Sequence, residues 1–253
     1  MPLTPGSLTT VDKAVDVLRM LSSAPSAQGV TAVGRALGLP KSSTHRLLAT
    51  LTRRGLVERD EGGRYRPGMA LVALGLGALE RDPLWVATRP LLEAEAADLG
   101  ETVFLVAARA GQLVVLDKVE GTGFLRAAPR VGSQVPVHAT AVGKLYLGLA
   151  PERVAADPAL PAFTTRTLRS RRALDAAAGQ AVRRGWAENR DEWIEGLSVV
   201  AVPILHRGEL CGALAAAAST ARMRSLEPAA VAGRLRAAAG RIGDRLAGRE
   251  AGS

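Results

Sequence analysis

Between positions 41 and 53 the chain places Lys41, Ser42, Ser43, His45, Arg46 and Arg53, cations and short polar groups with no acid among them. At helical spacing Thr44, Leu47, Leu48 and Leu51 fall at offsets of three, four and seven and form one apolar face. Ser42, His45, Arg46, Ala49 and Arg53 share the opposite face. The chemistry this suits is contact with a polyanion. A guanidinium can grip two acceptors on a guanine edge, and hydroxyls and helix-end amides can donate to phosphate oxygens. Arg46 is the candidate for a bidentate base contact, with His45 a weaker one. Beyond a turn at Asp60-Glu61-Gly62-Gly63, Arg64 and Arg66 flank Tyr65 and can reach the neighbouring phosphates or minor groove. The bland alternative is a solvated helix face, so the surrounding elements decide.

Those elements are legible. Thr9 and Asp12 form a short capping box before Val11, Ala14, Val15 and Leu18, which predicts a first helix over 10–22. A short second helix begins at Thr31 and buries Val33, Ala36 and Leu37. Gly38-Leu39-Pro40 ends it, because glycine tolerates positive φ and proline suits the first turn of a following helix. The third helix runs over about 41–54, and Gly55 stops it. Strands at 56–59 and 64–66 around a glycine turn make a hairpin. Three helices and a basic hairpin describe a winged helix-turn-helix. Residues 69–82 then read as a helix that is apolar almost all round, and such a helix needs a partner. A second copy of the chain is the economical candidate.

Composition narrows the class. The chain has 253 residues, 47% hydrophobic, enough for one large domain or two moderate ones and too apolar for a disordered chain. Net charge is +9, which favours a polyanionic partner. Aromatics are only 3%, too few for the stacking platforms of single-strand binders, so duplex DNA is the better expectation. Cys211 is the lone cysteine, which excludes an intrachain disulfide and a multi-thiolate zinc site. The first residues carry neither a basic nor an apolar signal region, and no apolar run approaches the roughly 18 residues a spanning helix requires. A cytoplasmic protein without membrane contact and without a cofactor is expected.

Past Pro83 the pattern changes. A helix is expected over 84–99, hairpins at 102–108 with 113–119 and at 199–205 with 210–217, and extended pieces at 124–127 and 135–138. Helices are expected over 140–149, 170–184 and, rich in arginine, 225–248. Strands joined as hairpins and interspersed with helices predict a mixed domain with a largely antiparallel sheet. The fold class is α+β: a DNA-binding domain over 1–68, a linker and dimerisation helix over 69–83, and an effector-binding α/β domain over 84–253.

The run from Ala32 to Leu48, with Gly38-Leu39-Pro40-Lys41-Ser42-Ser43-Thr44-His45-Arg46 at its centre, resembles the helix-turn-helix of IclR-type transcription regulators. The likeness continues through Arg54-Gly55-Leu56-Val57 and Tyr65-Arg66-Pro67-Gly68. It resumes at Arg89-Pro90, Gly100-Glu101-Thr102-Val103 and Leu116-Asp117-Lys118-Val119, then at Val131-Gly132 and Pro136-Val137-His138-Ala139-Thr140-Ala141-Val142-Gly143-Lys144. Gly185-Trp186, Asp191-Glu192, Gly196 and Ala201-Val202-Pro203-Ile204 complete it, so it spans nearly the whole chain. The resemblance implies a winged helix, a dimerising linker helix and a GAF-like effector domain, assembled as homodimers or dimers of dimers. It implies response to small organic or aromatic acids, with many members repressors and some activators. By the same similarity the effector pocket would be lined by Phe124, Ala127, Val135, Ala141, Val142, Gly143, Asn189, Leu197, Val199, Ala215 and Ala217. Independently, Thr140-Ala141-Val142-Gly143 starts a helix whose free N–H groups suit a carboxylate. Lys144 could add charge there, but a helix-surface lysine usually reads as solvated. Two departures lower the pocket's polarity. Alanines fill 215–218 where the family often has hydroxyls, and Asn189 stands where some relatives have an acid. The expected effector is a partly apolar or aromatic acid.

Two rival classes compete. His138, Ser198, Asp191 and Glu192 could be assembled on paper into an acyl-transfer site, but the nucleophile elbow and the helical zinc motif are both missing from the sequence. His138 fits a structural hydrogen bond better, and Cys211 fits an inert strand position. An architectural DNA protein would leave two thirds of the chain without a task. The arginine-rich C-terminal segment lacks the large apolar anchors of a membrane-surface helix. The expected mechanism is a population shift between DNA-competent and DNA-incompetent dimers on a near-palindromic operator.

Overall fold

The computed structural model describes residues 9–123, 129–155 and 157–250, with Arg249 and Glu250 described through their backbone alone. The chain divides into two compact units, the first ending at Leu79 and the second beginning at Glu80.

In the first unit, α1 (Thr10–Ser23) opens on the expected capping box. The Thr9 amide donates to Asp12 Oδ2 at 2.9 Å and the Asp12 amide to Thr9 Oγ1 at 3.2 Å. The Thr9 hydroxyl bond holds the Asp12 carboxyl below its ordinary range. Next come α2 (Val30–Ala36) and α3 (Lys41–Arg53), joined through Gly38 at φ +62°, with the Leu39 amide donating to Gly34 O at 2.8 Å. Pro40 is the N-cap of α3, one position earlier than expected. Val17, Leu21, Val33, Leu48, Leu51, Val57 and Tyr65 form one small core. β1 (Val57–Arg59) and β2 (Tyr65–Pro67) pair antiparallel with Glu58 opposite Arg66, and Gln28 bridges to Tyr65.

The helix expected to reach Asp82 is shorter: α4 is Met69–Leu79. Asp82 instead caps the next helix, its Oδ1 accepting the amides of Leu84 and Trp85 at 2.9 and 3.2 Å. None of the eleven residues of α4 is buried; Met69 is 68% and Leu74 65% exposed.

The second unit opens with α5 (Pro83–Leu99), β3 (Thr102–Arg109), β4 (Gln112–Val119), β5 (Gln134–Val135) and α6 (Ala141–Leu149). It continues with α7 (Arg171–Arg184), β6 (Ala187–Arg190), β7 (Leu197–His206), β8 (Glu209–Ser219), α8 (Thr220–Ser225) and α9 (Pro228–Glu250). Among the described residues the strands form one six-stranded sheet, order β5-β4-β3-β8-β7-β6, every pair antiparallel.

Both faces of this sheet are covered. Val103 and Leu105, Val200 and Val202, and Leu214 and Ala216 point to the side packed by α5 and α9. Phe104, Val199, Ala215 and Ala217 point to the side packed by α6. Strict alternation between two apolar cores explains why these strands read as unbroken apolar runs. The Tyr146 hydroxyl of α6 accepts the Ala108 amide at 3.0 Å, and burial raises its pKa above the usual phenol value.

Three expectations need correction. The C-terminal helix does not run from 225. The chain breaks at Glu227, which has φ +58°, because Pro228 excludes helical geometry in the residue before it. Val137 and His138 are not extended: the Val137 carbonyl lies against Gly143, where a Cβ would come within 1.7 Å of it. His138 Nε2 sits 2.9 Å from Pro161 O, the structural role expected. Finally, Lys144 is not solvated. Its side chain is only 7% exposed, and its ammonium donates to Glu192 Oε1 at 2.5 Å and Glu188 O at 2.7 Å.

The turn after β6 is held from several sides. Asn189 Nδ2 donates to Ala139 O at 2.7 Å while its Oδ1 accepts the Glu192 amide at 3.0 Å. Thr164 and Thr167 hydroxyls donate to the carbonyls of Asp191 and Glu192 at 2.6 and 2.7 Å. Asp191, itself at φ +59°, accepts the Gly196 amide at 3.0 Å and the Thr220 hydroxyl at 2.5 Å. Removing one member of a buried ion pair strands the other. Lys144→Met is therefore expected to cost about 3–5 kcal/mol, while Lys144→Met with Glu192→Leu recovers most of it. Urea unfolding of the full cycle measures this, and simple additivity of the two single changes would contradict the pairing.

Candidate nucleic-acid interface and ligand cavity

The polar row of α3 is built by what its other face buries. Thr44, Leu48 and Leu51 are in the core, so Ser42, Arg46, Ala49 and Arg53 occupy the opposite side. Lys41, Ser42, His45, Arg46 and Arg53 are exposed, and Ser43 is half-buried. Lys41 and His45 flank the row on one side; Ser43 and Thr50 flank it on the other. Arg53 donates to the Thr50 hydroxyl at 3.2 Å, which aims it along the helix.

The hairpin arginines differ from one another. Arg66 lies against Glu58 across the strand pair, its Nη2 3.1 Å from Oε2, both exposed. Arg64 is exposed, and among the described residues its guanidinium has no partner, while its backbone is fixed by Asp60. Arg59 instead covers the Tyr65 ring, 5.8 Å from its centroid.

A second surface of this unit is apolar. A groove of about 520 Å³ runs between α1 and α3, lined by Val11, Val15, Leu18, Leu47, Leu51 and Leu56, with Ser43 and Arg46 on its rim. Val11 is 71% exposed at its edge.

In the second unit, a cavity lies between the sheet and the start of α6. Phe104, Leu197 and Val199 form the floor, Thr140, Ala141 and Val142 the roof, and Val135, Pro129, Asn189 and Trp193 the sides. Its free volume is about 20 Å³, room for roughly one water. Of the residues expected there, Val135, Ala141, Val142, Asn189, Leu197 and Val199 line it. Ala215 and Ala217 share the same core but sit in the sheet outside the lining, and Gly143 is pressed on Val137 with its amide taken by Thr140 Oγ1 at 3.1 Å. Phe124 and Ala127 lie outside the described residues.

Phe104, Pro129 and Trp193 are missing from the sequence expectation, where Thr140 figures only as the start of a helix whose amides suit a carboxylate. Phe104 is signalled only by strand alternation, and Trp193 by being a large apolar residue amid acids. Asn189 is buried and spends one donor and one acceptor inside the fold, so it shapes the wall as much as it offers polarity. Burial raises the Cys211 thiol above its ordinary pKa, which suppresses the nucleophilic thiolate. Two described arginines of α9 are spent internally. Arg234 and Arg241 meet Glu95 at 3.1 and 3.2 Å, and Arg234 also meets Asp98 at 2.7 Å. Among the described residues no helix is long and apolar enough to cross a membrane.

Comparison with known proteins agrees with this layout. Residues 10–61 match the IclR helix-turn-helix domain, and residues 76–244 match the bacterial transcriptional regulator IclR C-terminal domain. The chain is 33% identical over 217 residues to the probable transcriptional regulator SauR of Cupriavidus necator, covering 83% of this chain and 86% of that one. It is 30% identical over 203 residues to the acetate operon repressor of Salmonella typhimurium, covering 78% and 74%. Among solved structures, an IclR homolog from Microbacterium hydrocarbonoxydans complexed with 4-hydroxybenzoate superposes with a TM-score of 0.83 at 26% identity, over 95% of this chain and 100% of that one. With the helix-turn-helix and the C-terminal domain both matched in order, the chain belongs to the IclR family of bacterial transcriptional regulators and is not an enzyme.

Proposed function

We propose that this regulator is a repressor that binds a near-palindromic operator as a homodimer and responds to a small aromatic or partly apolar organic acid. The observation that carries the DNA half is the outward row of exposed Ser42, Arg46 and Arg53 with half-buried Ala49, small enough at its centre to approach base edges and flanked by Lys41, Ser43 and His45. Arg64 on the hairpin supports it as a cation not committed to an internal partner, whereas Arg66 must first leave Glu58. A repressor is favoured by the relative named as one, the acetate operon repressor; activation by the same contacts is the alternative.

The effector half rests on the cavity under α6. Its walls are apolar, and the first turn of α6 presents the Ala141 and Val142 amides above it. An acid with a ring against the sheet and its carboxylate toward that helix end satisfies both. The 4-hydroxybenzoate complex of the structural neighbour favours this chemistry. Binding would shift the dimer between DNA-competent and DNA-incompetent states through α4, and only to the extent that affinity for the two states differs.

The dimer is supported by α4, which is apolar in sequence and has no buried residue in one chain. The α1–α3 groove offers a matching apolar bed for the same helix of a second copy.

Two measurements test the reading. In anisotropy titrations on promoter fragments, Arg46→Ala should weaken operator binding by about 1–3 kcal/mol and relax base preference. Arg64→Ala should weaken all sequences alike and flatten the salt dependence, and Arg66→Ala should do less. Exchanged outcomes would move the base-reading face elsewhere. Leu74→Glu should yield monomers in sedimentation velocity and lose operator affinity, because a charge cannot be buried unpaired in an apolar seam. A variant that stays dimeric would exclude α4 from the interface.

A further inference from the structure

The cavity's size sets a problem. A benzoate-sized acid needs several times the free space of about 20 Å³, since ligand pockets generally enclose about 300 Å³ or more. Some lining group must leave before any such acid enters.

Most of the described lining is fixed. Phe104, Leu197 and Val199 are buried on strands inside the sheet. Ala141 and Val142 ride on α6, which Gly143 locks against the Val137 carbonyl and Lys144 against Glu192. Val135 is buried, Thr140 is committed as the N-cap, and Asn189 is bonded on both sides of its amide. Pro129 has no side-chain rotation to use.

Trp193 is different. It stands in a turn, belongs to no strand or helix, and is half-buried, and among the described residues its indole N–H has no hydrogen-bond partner. The backbone on either side of it is hydrogen-bonded. The Asp191 amide donates to Leu197 O at 2.9 Å, the Leu197 amide to Ile194 O at 3.2 Å, and Thr164, Thr167, Asn189 and Thr220 hold the turn's preceding residues. Motion here is therefore rotation of one side chain about a pinned Cα.

We propose that Trp193 is the gate and the specificity element of the effector cavity: its indole fills the space a flat aromatic acid takes, rotates out to admit it, and then lies against its ring. This rests on the effector reading above and deepens it. Exposing part of an indole costs apolar burial, which a planar ring stacked against it restores and a one- or two-carbon acid cannot. The gate thus discriminates against small polar acids by what it leaves uncovered.

Two arms test it on the full chain. In the first, indole itself is the probe: calorimetry should show Trp193→Ala binding indole about tenfold or more tighter than the unsubstituted protein, because the vacated space matches the lost ring. Equal affinity would overturn the proposal, whatever the natural effector is. In the second, tryptophan emission is followed as 4-hydroxybenzoate and acetate are added to the unsubstituted chain, Trp193→Phe and Trp186→Phe. The emission change on 4-hydroxybenzoate should survive in Trp186→Phe and vanish in Trp193→Phe, which also covers the case that alanine at 193 unfolds the unit. A full change in Trp193→Phe would sink the gate. Binding of acetate with rejection of 4-hydroxybenzoate would sink the effector class instead, leaving the indole arm to decide the gate.

Discussion

An ammonium and a carboxylate taken out of water together fix the ligand end of the second unit. Lys144 and Glu192 lie 48 positions apart in the chain, and neither could be buried alone. Meeting at 2.5 Å, they peg the middle of α6 to the turn after β6, and Asn189 completes the peg by tying the same turn to Ala139 just before the helix. The start of α6 and the base of Trp193 are the two walls between which an acid would sit. Their separation is set in part by this charge pair, which cannot open without leaving a buried ion unpaired. A site held this way can discriminate by shape, since its framework does not relax around a poor ligand.

The same peg has an unfinished side. Among the described residues, the buried Glu192 Oε2 has no hydrogen-bond partner, while Oε1 takes the lysine. An unsatisfied acceptor in a protein interior costs on the order of 1–3 kcal/mol, so the pair is less comfortable than its short contact suggests.

What the sequence discloses follows physical range. The first unit is legible because each of its signals is local: the Thr9–Asp12 box, the Gly38 turn, and the period-3.6 face of α3 require no distant partner. The hairpins of the second unit are legible for the same reason. β6 is not, because Ala187-Glu188-Asn189-Arg190 is short and polar and becomes a strand only by pairing with β7. Nor is the burial of Lys144, which depends on where residue 192 arrives. Pro228 does signal the break before α9, but an alanine- and arginine-rich run on both sides hides it. The lining of the cavity was half visible. Positions on one strand face follow from alternation, while Trp193 enters from a turn that no periodicity describes.

Charge, finally, separates the two tasks better than the total of +9 does. Residues 1–79 hold ten lysines and arginines against five acids, while the remainder holds 23 against 19. Over half the excess therefore sits in under a third of the chain. Within the second unit Arg89, Arg109, Arg222, Arg234 and Arg241 all meet acids at 3.2 Å or less, so those cations are already neutralised by the fold. In the first unit, among the described residues, Lys41, Arg46 and Arg64 have no acidic partner and stand exposed. A polyanion approaching this protein meets unpaid positive charge on α3 and the hairpin, and releases counterions there. On the proposed reading, an acid in the cavity would meet almost none, and would be held by its ring and by helix-end amides. On that reading one chain would handle two anions by opposite means: open charge for the large one, and an apolar enclosure with oriented dipoles for the small one.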